Sequence, residues 1–455
     1  MKNEVHATMK FDVVVVGGGI AGSMAAAAAA REGANVLLIE ETGCLGGALT
    51  TCGTGPMMTF HAGDLQVIQG LGQELISRLM EKGLSVGHVA DTVGYTYTVT
   101  PFDAEGMKRE LELMVSEAGA QILYHAMVTD TEVENEKITA VTAHCCGQTL
   151  RFEANVFIDA TGDADLAYMS GAPIEQGRES DGKDQPMTMN FKMVGVDIDA
   201  VRELMHRQVE LFPQLVKCPE RIDQAKRLSV AGFEALMDEG RRTGELTVPR
   251  EDVLYFETNA QNEVIVNMTR VLGENPVDPF SLTRAAMEGR RQVWELLNFM
   301  KKHLPGFENA RMIMSGPRIG VRSSRRIEGV YRLTAKDILE ERRFEDAIAA
   351  CGYPIDIHSS DGLGTKSTHL RAGGYYTIPY RSLQSSGVKN LLAAGRNIST
   401  EFAAQASTRV TPCCTALGQA AGTAAAMASA AGVLPAAVDV AMLQSRLKEN
   451  GAFIG

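Results

Sequence analysis

The chain has 455 residues, 45% of them hydrophobic and 22% charged, a composition that buries a large core and excludes a disordered or low-complexity protein. Its formal net charge of −12 argues against nucleic acid and anionic membrane as partners, and no apolar run has the length of a bilayer span. The opening MKNEVHATMK has no signal-peptide core, so a cytoplasmic location is the default expectation, and the eight cysteines contain no C-x-x-C pair that would announce a metal centre.

Residues 11–40 read as one nucleotide-binding unit. A β-branched strand over 13–16 runs into Gly17-Gly18-Gly19-Ile20-Ala21-Gly22, a G-x-G-x-x-G turn followed by an Ala-rich helix and a second strand over 36–39. Gly17 permits the tight turn, Gly19 lets backbone approach a pyrophosphate, and Gly22 lets the helix pack closely on the sheet. The helix start offers free amides and a positive dipole end to the phosphates. Glu40 closes the second strand, where a carboxylate accepts from a ribose hydroxyl. No base stands beside Glu40 and Glu41 in the sequence, so a 2′-phosphate is not expected, and the adenosine half belongs to FAD or NAD.

A glycine-rich loop with Gly46 and Gly47 follows. Periodicity predicts helices over 64–83 and 103–119, then strands over 121–128, 138–143 and 154–158, the last ending in Asp159-Ala160-Thr161-Gly162-Asp163. This alternation predicts an α/β fold with a doubly wound parallel sheet. The character changes after residue 170. Helices are expected over 200–212, 218–244 and 279–302, a strand over 264–268, and an arginine-rich, strand-like segment over 318–333. The βα pattern then returns in a buried strand ending at Gly395-Arg396, and a small-residue helix over 412–431 carries Gly418 and Gly422 for close packing. The expected organisation is a Rossmann-like domain from 1–168 and 379–455, with an inserted α+β substrate domain over 169–378.

These motifs, in this order and across nearly the whole chain, resemble the FAD-dependent oxidoreductases of the glutathione reductase type. More narrowly, Gly320-Val321-Arg322 with Arg325-Arg326-Ile327 and Gly329 looks like the single-flavin branch related to fumarate reductase flavoproteins. The resemblance implies FAD as cofactor. It puts the pyrophosphate on Gly17, Gly19, Ala21 and Gly22, and the ribose on Glu40, with Glu41 beside it. Gly46 and Gly47 run along the diphosphate and ribityl chain, and Val128 offers backbone to the adenine. Gly162 and Asp163 close over the adenine-side phosphate region, and Gly395 and Arg396 over the pyrophosphate and ribityl region. The helix starting near Pro412, with Ala416 in its first turn, aims its amides at the flavin pyrimidine, where reduction collects negative charge.

Absences narrow the chemistry. Disulfide reductases of this type carry C-x-x-x-x-C after the glycine pair and a second nucleotide fingerprint, whereas here only Cys52 follows Gly47. Aromatic hydroxylases carry Gly-Asp where this chain has Gly395-Arg396. The expected function is hydride exchange between flavin N5 and a carbon of a small carboxylated metabolite. An arginine fork is the best carboxylate anchor, so Arg322, Arg325 and Arg409 are the candidates, Arg409 because it stands just before the flavin-facing helix. His358 and His369 flank the glycine-containing segment 359–367, and His61 follows the loop expected to cover the flavin. Of the histidines, His369 and His61 are ranked first as acid or base. Cys413-Cys414 at a helix start would be reactive if exposed. An electron-transfer partner or NAD(P)H is expected to supply or remove electrons, and a homo-oligomer is left open. The alternatives are a flavoprotein electron-transfer subunit and, disfavoured by the acidic balance, a tRNA-modifying flavoprotein.

Overall fold

The computed structural model describes residues 5–455. Strand β1 (Ala7–Val16) turns through the glycine motif into helix α1 (Ile20–Arg31) and strand β2 (Val36–Ile39). β1 lies between β2 and the long strand Gln148–Asp159, parallel to both, and Gln121–Leu123 continues the parallel order beyond β2. The strand Leu391–Ala393 returns from far down the chain to pair, again parallel, with residues 157–159. This is the expected parallel-sheet core. Its other side is extended by an antiparallel meander in which Met127–Glu134, Lys137–Cys145 and Gln148–Asp159 pair in sequence order. The stretch expected as one strand over 121–128 is therefore two strands that belong to opposite sides of the sheet. The chain breaks between them at His125, which has φ 54°.

α1 and the closing helix Thr411–Ala431 pack backbone against backbone. A Cβ on Gly418 would overlap the carbonyl of Ala21, and one on Gly422 the carbonyl of Ala25. Both helices are alanine-rich and buried, so this contact is set by the absence of side-chain bulk. Gly422→Val is expected to cost about 3 kcal/mol, at the upper end for overpacking. Thermal unfolding of the purified variant checks it, and an unchanged midpoint would show that the two helices have room to separate.

The helix Ala104–Glu117 starts as expected on Asp103, whose side chain accepts from the Gly106 N–H at 2.7 Å. The one expected over 64–83 starts only at Leu71, because a small hairpin of His61–Ala62 with Leu65–Gln66 precedes it. Gln419 of the closing helix takes the Leu71 N–H at 2.9 Å.

The middle block is an antiparallel five-stranded sheet in the order Ser229–Gly232, Val253–Glu257, Glu263–Val266, Phe191–Val194, Arg311–Ser315. The helix expected over 218–244 is broken by the first of these strands, which leaves the helices Arg221–Gln224 and Glu234–Thr243 on either side. Pairing with Val253–Glu257 overrides the local helical preference. One face of the sheet packs on the long helix Pro279–His303 through Phe191, Val264, Val266, Val293 and Leu296. The opposite face, with Asn190, Leu254, Phe256 and Asn267, roofs the nucleotide domain. The side chains of this second core lie between residues 187 and 319. Residues 327–378, expected in the insert, pack into the first core through Ile327, Leu333, Ile348, Tyr376 and Ile378.

Candidate functional site

Between roof and nucleotide domain lies one cavity of about 860 Å³. One end is walled by Gly17, Gly19, Ala21, Glu40, Glu41, Gly47, Val128, Gly162, Asp163, Gly395 and Arg396. Gly17 has φ +100°, and a Cβ on it would press on the Ala160 carbonyl, so only glycine serves at this turn. At Gly19, by contrast, a Cβ would meet nothing within 4 Å: the turn leaves a hollow in front of the helix. Neither α1 nor the closing helix has a side-chain cap or an acidic residue in its first turn, and both starts line the cavity, the second through Val410, Thr411 and Cys414. Two uncapped helix N-termini on one cavity suit a long ligand that is anionic in its middle and becomes anionic at its far end. The Arg396 guanidinium is paired with Asp163, and its Nε is buried without a partner.

Glu40 is held rather than free. Its Oε2 accepts from the Gly18 N–H at 2.6 Å, and its Oε1 from the Thr42 N–H at 2.8 Å and hydroxyl at 2.7 Å. This aligns the carboxylate while leaving lone pairs for a ribose hydroxyl. The fold corrects one inference here. A base does stand beside Glu41, since Arg318, 277 residues later, pairs with it across the cavity mouth. Four other expected residues lie behind the wall. Gly22 packs against the Gly17 backbone and Gly46 against Thr50 and Leu111, while Pro412 and Ala416 are buried within the closing helix.

The other end of the cavity is charged. Arg322 and Arg409 both reach it; Arg325 touches the wall but is turned away, its Nε donating to the Asp163 carbonyl at 2.9 Å and its head paired with Asp165 over the Tyr168 ring. His61 and His369 do not line it. His61 bonds Thr98 at 3.1 Å beside His88, and His369 is exposed against the edge of Tyr95. The histidine that enters is His358. It lies on the hairpin Ile355–His358 with Thr365–Thr368, and strand alternation puts it on the same face as Asp356. Arg270 Nη2 approaches His358 Nδ1 at 3.4 Å, and a guanidinium only donates, so Nδ1 accepts and the ring proton sits on Nε2, 3.3 Å from Asp356 Oδ2. Burial, and next the charge of Arg322, push His358 down to about 3, so it is a neutral donor at physiological pH.

Asp356 also faces Tyr353 and Arg409, each at 3.4 Å, and accepts from Ser367 at 3.4 Å. Burial opposes its ionisation, but His358 and Arg409 outweigh that and hold its carboxyl well below the ordinary range. The alternation that brings Asp356 and His358 together was available in the sequence, but nothing local marked 355–358 as a strand.

Pairing the cations at this end leaves one without a carboxylate. Arg250 sits on Asp252 at 2.8 Å, Arg270 near Glu251 at 3.5 Å, and Arg409 near Asp356. Asp91 is spent on the backbone N–H groups of Val93, Tyr95 and Thr96. Arg322 donates only to the Pro186 carbonyl, at 2.7 Å, and to the Thr188 hydroxyl, and among the described residues it has no carboxylate partner. Burial, with Arg409 next, pushes it down to about 9, still charged at neutral pH. Its site therefore asks for an anion.

The thiols offer no rival chemistry. All eight cysteines are free, and burial pushes Cys414 up to about 12. No group of three or more potential metal ligands occurs among the described residues. Among the described residues no helix is long and apolar enough to cross a membrane.

A family model described as FAD dependent oxidoreductase matches residues 12–447. A thiamine thiazole synthase from Aeropyrum pernix is 28% identical over 165 residues, 34% of this chain and 55% of that protein. A digeranylgeranylglycerophospholipid reductase from Methanocella arvoryzae is 28% identical over 164 residues, 34% of this chain and 39% of that one. The chain thus spans about half or less of these curated relatives. Among solved structures, a geranylgeranyl bacteriochlorophyll reductase-like protein from Thermoplasma acidophilum has a TM-score of 0.45 at 13% identity, covering 97% of this chain and 83% of its own.

Proposed function

Because the chain belongs to the FAD dependent oxidoreductase family, we propose that it exchanges a hydride between flavin N5 and a carbon of a small carboxylated metabolite, in the manner of the single-flavin branch to which its arginine-rich segment is similar. The observation that carries the substrate class is Arg322, a half-buried guanidinium on the cavity wall with neutral protein partners only.

The hollow before Gly19 and the two uncapped helix starts fit FAD. In this reading Gly17, Gly19 and Ala21 hold the pyrophosphate with Gly395 and Arg396, Glu40 the ribose, and Val128 borders the adenine. Bound there, FAD supplies a two-electron hydride acceptor or donor. The amides of Thr411 and Cys413 stabilise negative charge at the pyrimidine edge. Arg322 and Arg409 hold the substrate carboxylate, so that its neighbouring carbon has one orientation in the cavity. Asp356, anchored by His358, Tyr353 and Ser367, keeps Arg409 in place.

Anaerobic titration of the flavin-loaded protein with hydroxy, amino and enoic acids, and with NADH and NADPH, tests this. A carboxylate is expected to bleach the oxidised flavin or restore the reduced one; response only to uncharged alcohols or amines would end the reading.

A pH dependence follows. A carboxylate binds the charged form of Arg322, which loses its proton near 9 in the free protein. Affinity should be flat below that value and fall about tenfold per pH unit above it, because ligation raises the arginine pKa. Flavin-perturbation titrations with oxalate measure it, and an affinity that stays flat well above that value assigns the anion to another group.

A further inference from the structure

We infer that Asn190 and Asn267 form an amide pair that accepts from a hydrogen-bond donor near the substrate carboxylate, making the substrate a short-chain acid that carries a hydroxyl or an ammonium group. This rests on the carboxylate reading of Arg322.

The pair arises from strand register. Phe191 pairs with Val266, and both side chains enter the core of the roof domain. One residue beyond that last pair on each strand, Asn190 and Asn267 turn to the other face of the sheet, where both line the cavity. Asn190 is 4% exposed, and its Nδ2 donates to the Thr54 hydroxyl at 3.2 Å. Its Oδ1 is buried without a partner, and so is the Oδ1 of Asn267. Buried amide oxygens nearly always find donors. Two orphans side by side on one cavity wall mark a place where a ligand supplies them.

Their position relative to Arg322 narrows the ligand. Thr188, which accepts from Arg322, is two residues before Asn190 and on the same face. That separation is roughly 6.6 Å along an extended chain. A carboxylate on Arg322 and a substituent at the amides thus fall within one molecule of three or four carbons. Two buried acceptors without donors call for a hydroxyl or an ammonium group and not for a carbonyl, which only accepts.

The test is the binding of propionate, pyruvate, alanine, butyrate and 3-hydroxybutyrate to the oxidised flavin-loaded protein, read by perturbation of the flavin spectrum. 3-Hydroxybutyrate or alanine is expected to bind about tenfold or more tightly than the plain acid of its length, butyrate or propionate, with pyruvate no better than propionate. Asn190→Ala and Asn267→Ala should each bring the donor-bearing-to-plain ratio close to one. Asn190→Ser and Asn267→Ser, which keep a hydrogen-bonding group, should retain part of it and serve where an alanine variant fails to fold. Equal binding in the wild type overturns the inference, as does a ratio that survives both alanine variants. Loss of flavin or a shifted spectrum at an unchanged ratio would assign the amides to the flavin ring and equally overturn it. If plain carboxylates bind and Arg322→Met abolishes their binding, the carboxylate reading stands even when the donor preference is absent. If no carboxylate perturbs the flavin, both fall together.

Discussion

Replacing Gly19 with valine is expected to leave a folded, thermally stable protein that has lost its colour. A Cβ at this position would meet no protein atom within 4 Å, and Gly19 is the N-cap of α1 with φ −60° and ψ 179°, extended backbone that any residue adopts. Nothing in the fold resists the side chain. It fills the hollow in front of the α1 amides, where the diphosphate must come within hydrogen-bond reach. Affinity for FAD should fall at least about a hundredfold, or about 2.7 kcal/mol. Gly22, three residues on, gives the opposite outcome. A Cβ there would overlap the Gly17 carbonyl oxygen, so Gly22→Val should fail in folding rather than in binding. Visible flavin absorbance per protein after reconstitution, set beside the thermal midpoint, separates the two. A yellow Gly19→Val variant would show that the diphosphate is held elsewhere.

Arg322→Met should do two opposite things. Carboxylate affinity should fall by two to three orders of magnitude, within the about 2–5 kcal/mol lost when one member of a desolvated charge pair is removed. The ligand-free protein should become more stable, by about 1 kcal/mol, because the variant no longer buries a cation without a counter-ion. Methionine keeps most of the apolar stem and costs little packing. Arg409→Met lacks this gain, since it strips Asp356 of its cation while leaving that carboxylate buried. Weaker oxalate binding together with a raised midpoint in Arg322→Met is the expected signature; a lowered midpoint would mean that Arg322 is a structural ion after all.

What could be read in the sequence follows from how local each feature is. The glycine turn, the start of a helix at Asp103 and the packing role of Gly418 and Gly422 are short-range patterns, and the structure carries each of them. The roof sheet was mostly hidden, because its strands are four or five residues long and are stabilised by partners up to 124 residues away. Residues 229–232 show this best: their own neighbours favour a helix, and only Val253–Glu257 makes them a strand. The same limit governs the site. Arg322 and Arg325 are three apart in what was expected to be a strand, but the segment is largely irregular, so their heads diverge to Thr188 and Asp165. His358 displaces His369 because a hairpin orients one and stops short of the other. Arg318 meets Glu41 only through the fold. Asn190 and Asn267 become a pair only once the register of Phe191 with Val266 is known.

The most direct measurement is a diffraction structure of the flavin-loaded protein in complex with oxalate. The account predicts the FAD diphosphate in the hollow at Gly19, the pyrimidine edge at the start of Thr411–Ala431, and one oxalate carboxylate within hydrogen-bond reach of Arg322 and Arg409. Oxalate bound away from both arginines, with Arg322 still donating only to Pro186 and Thr188, would contradict it.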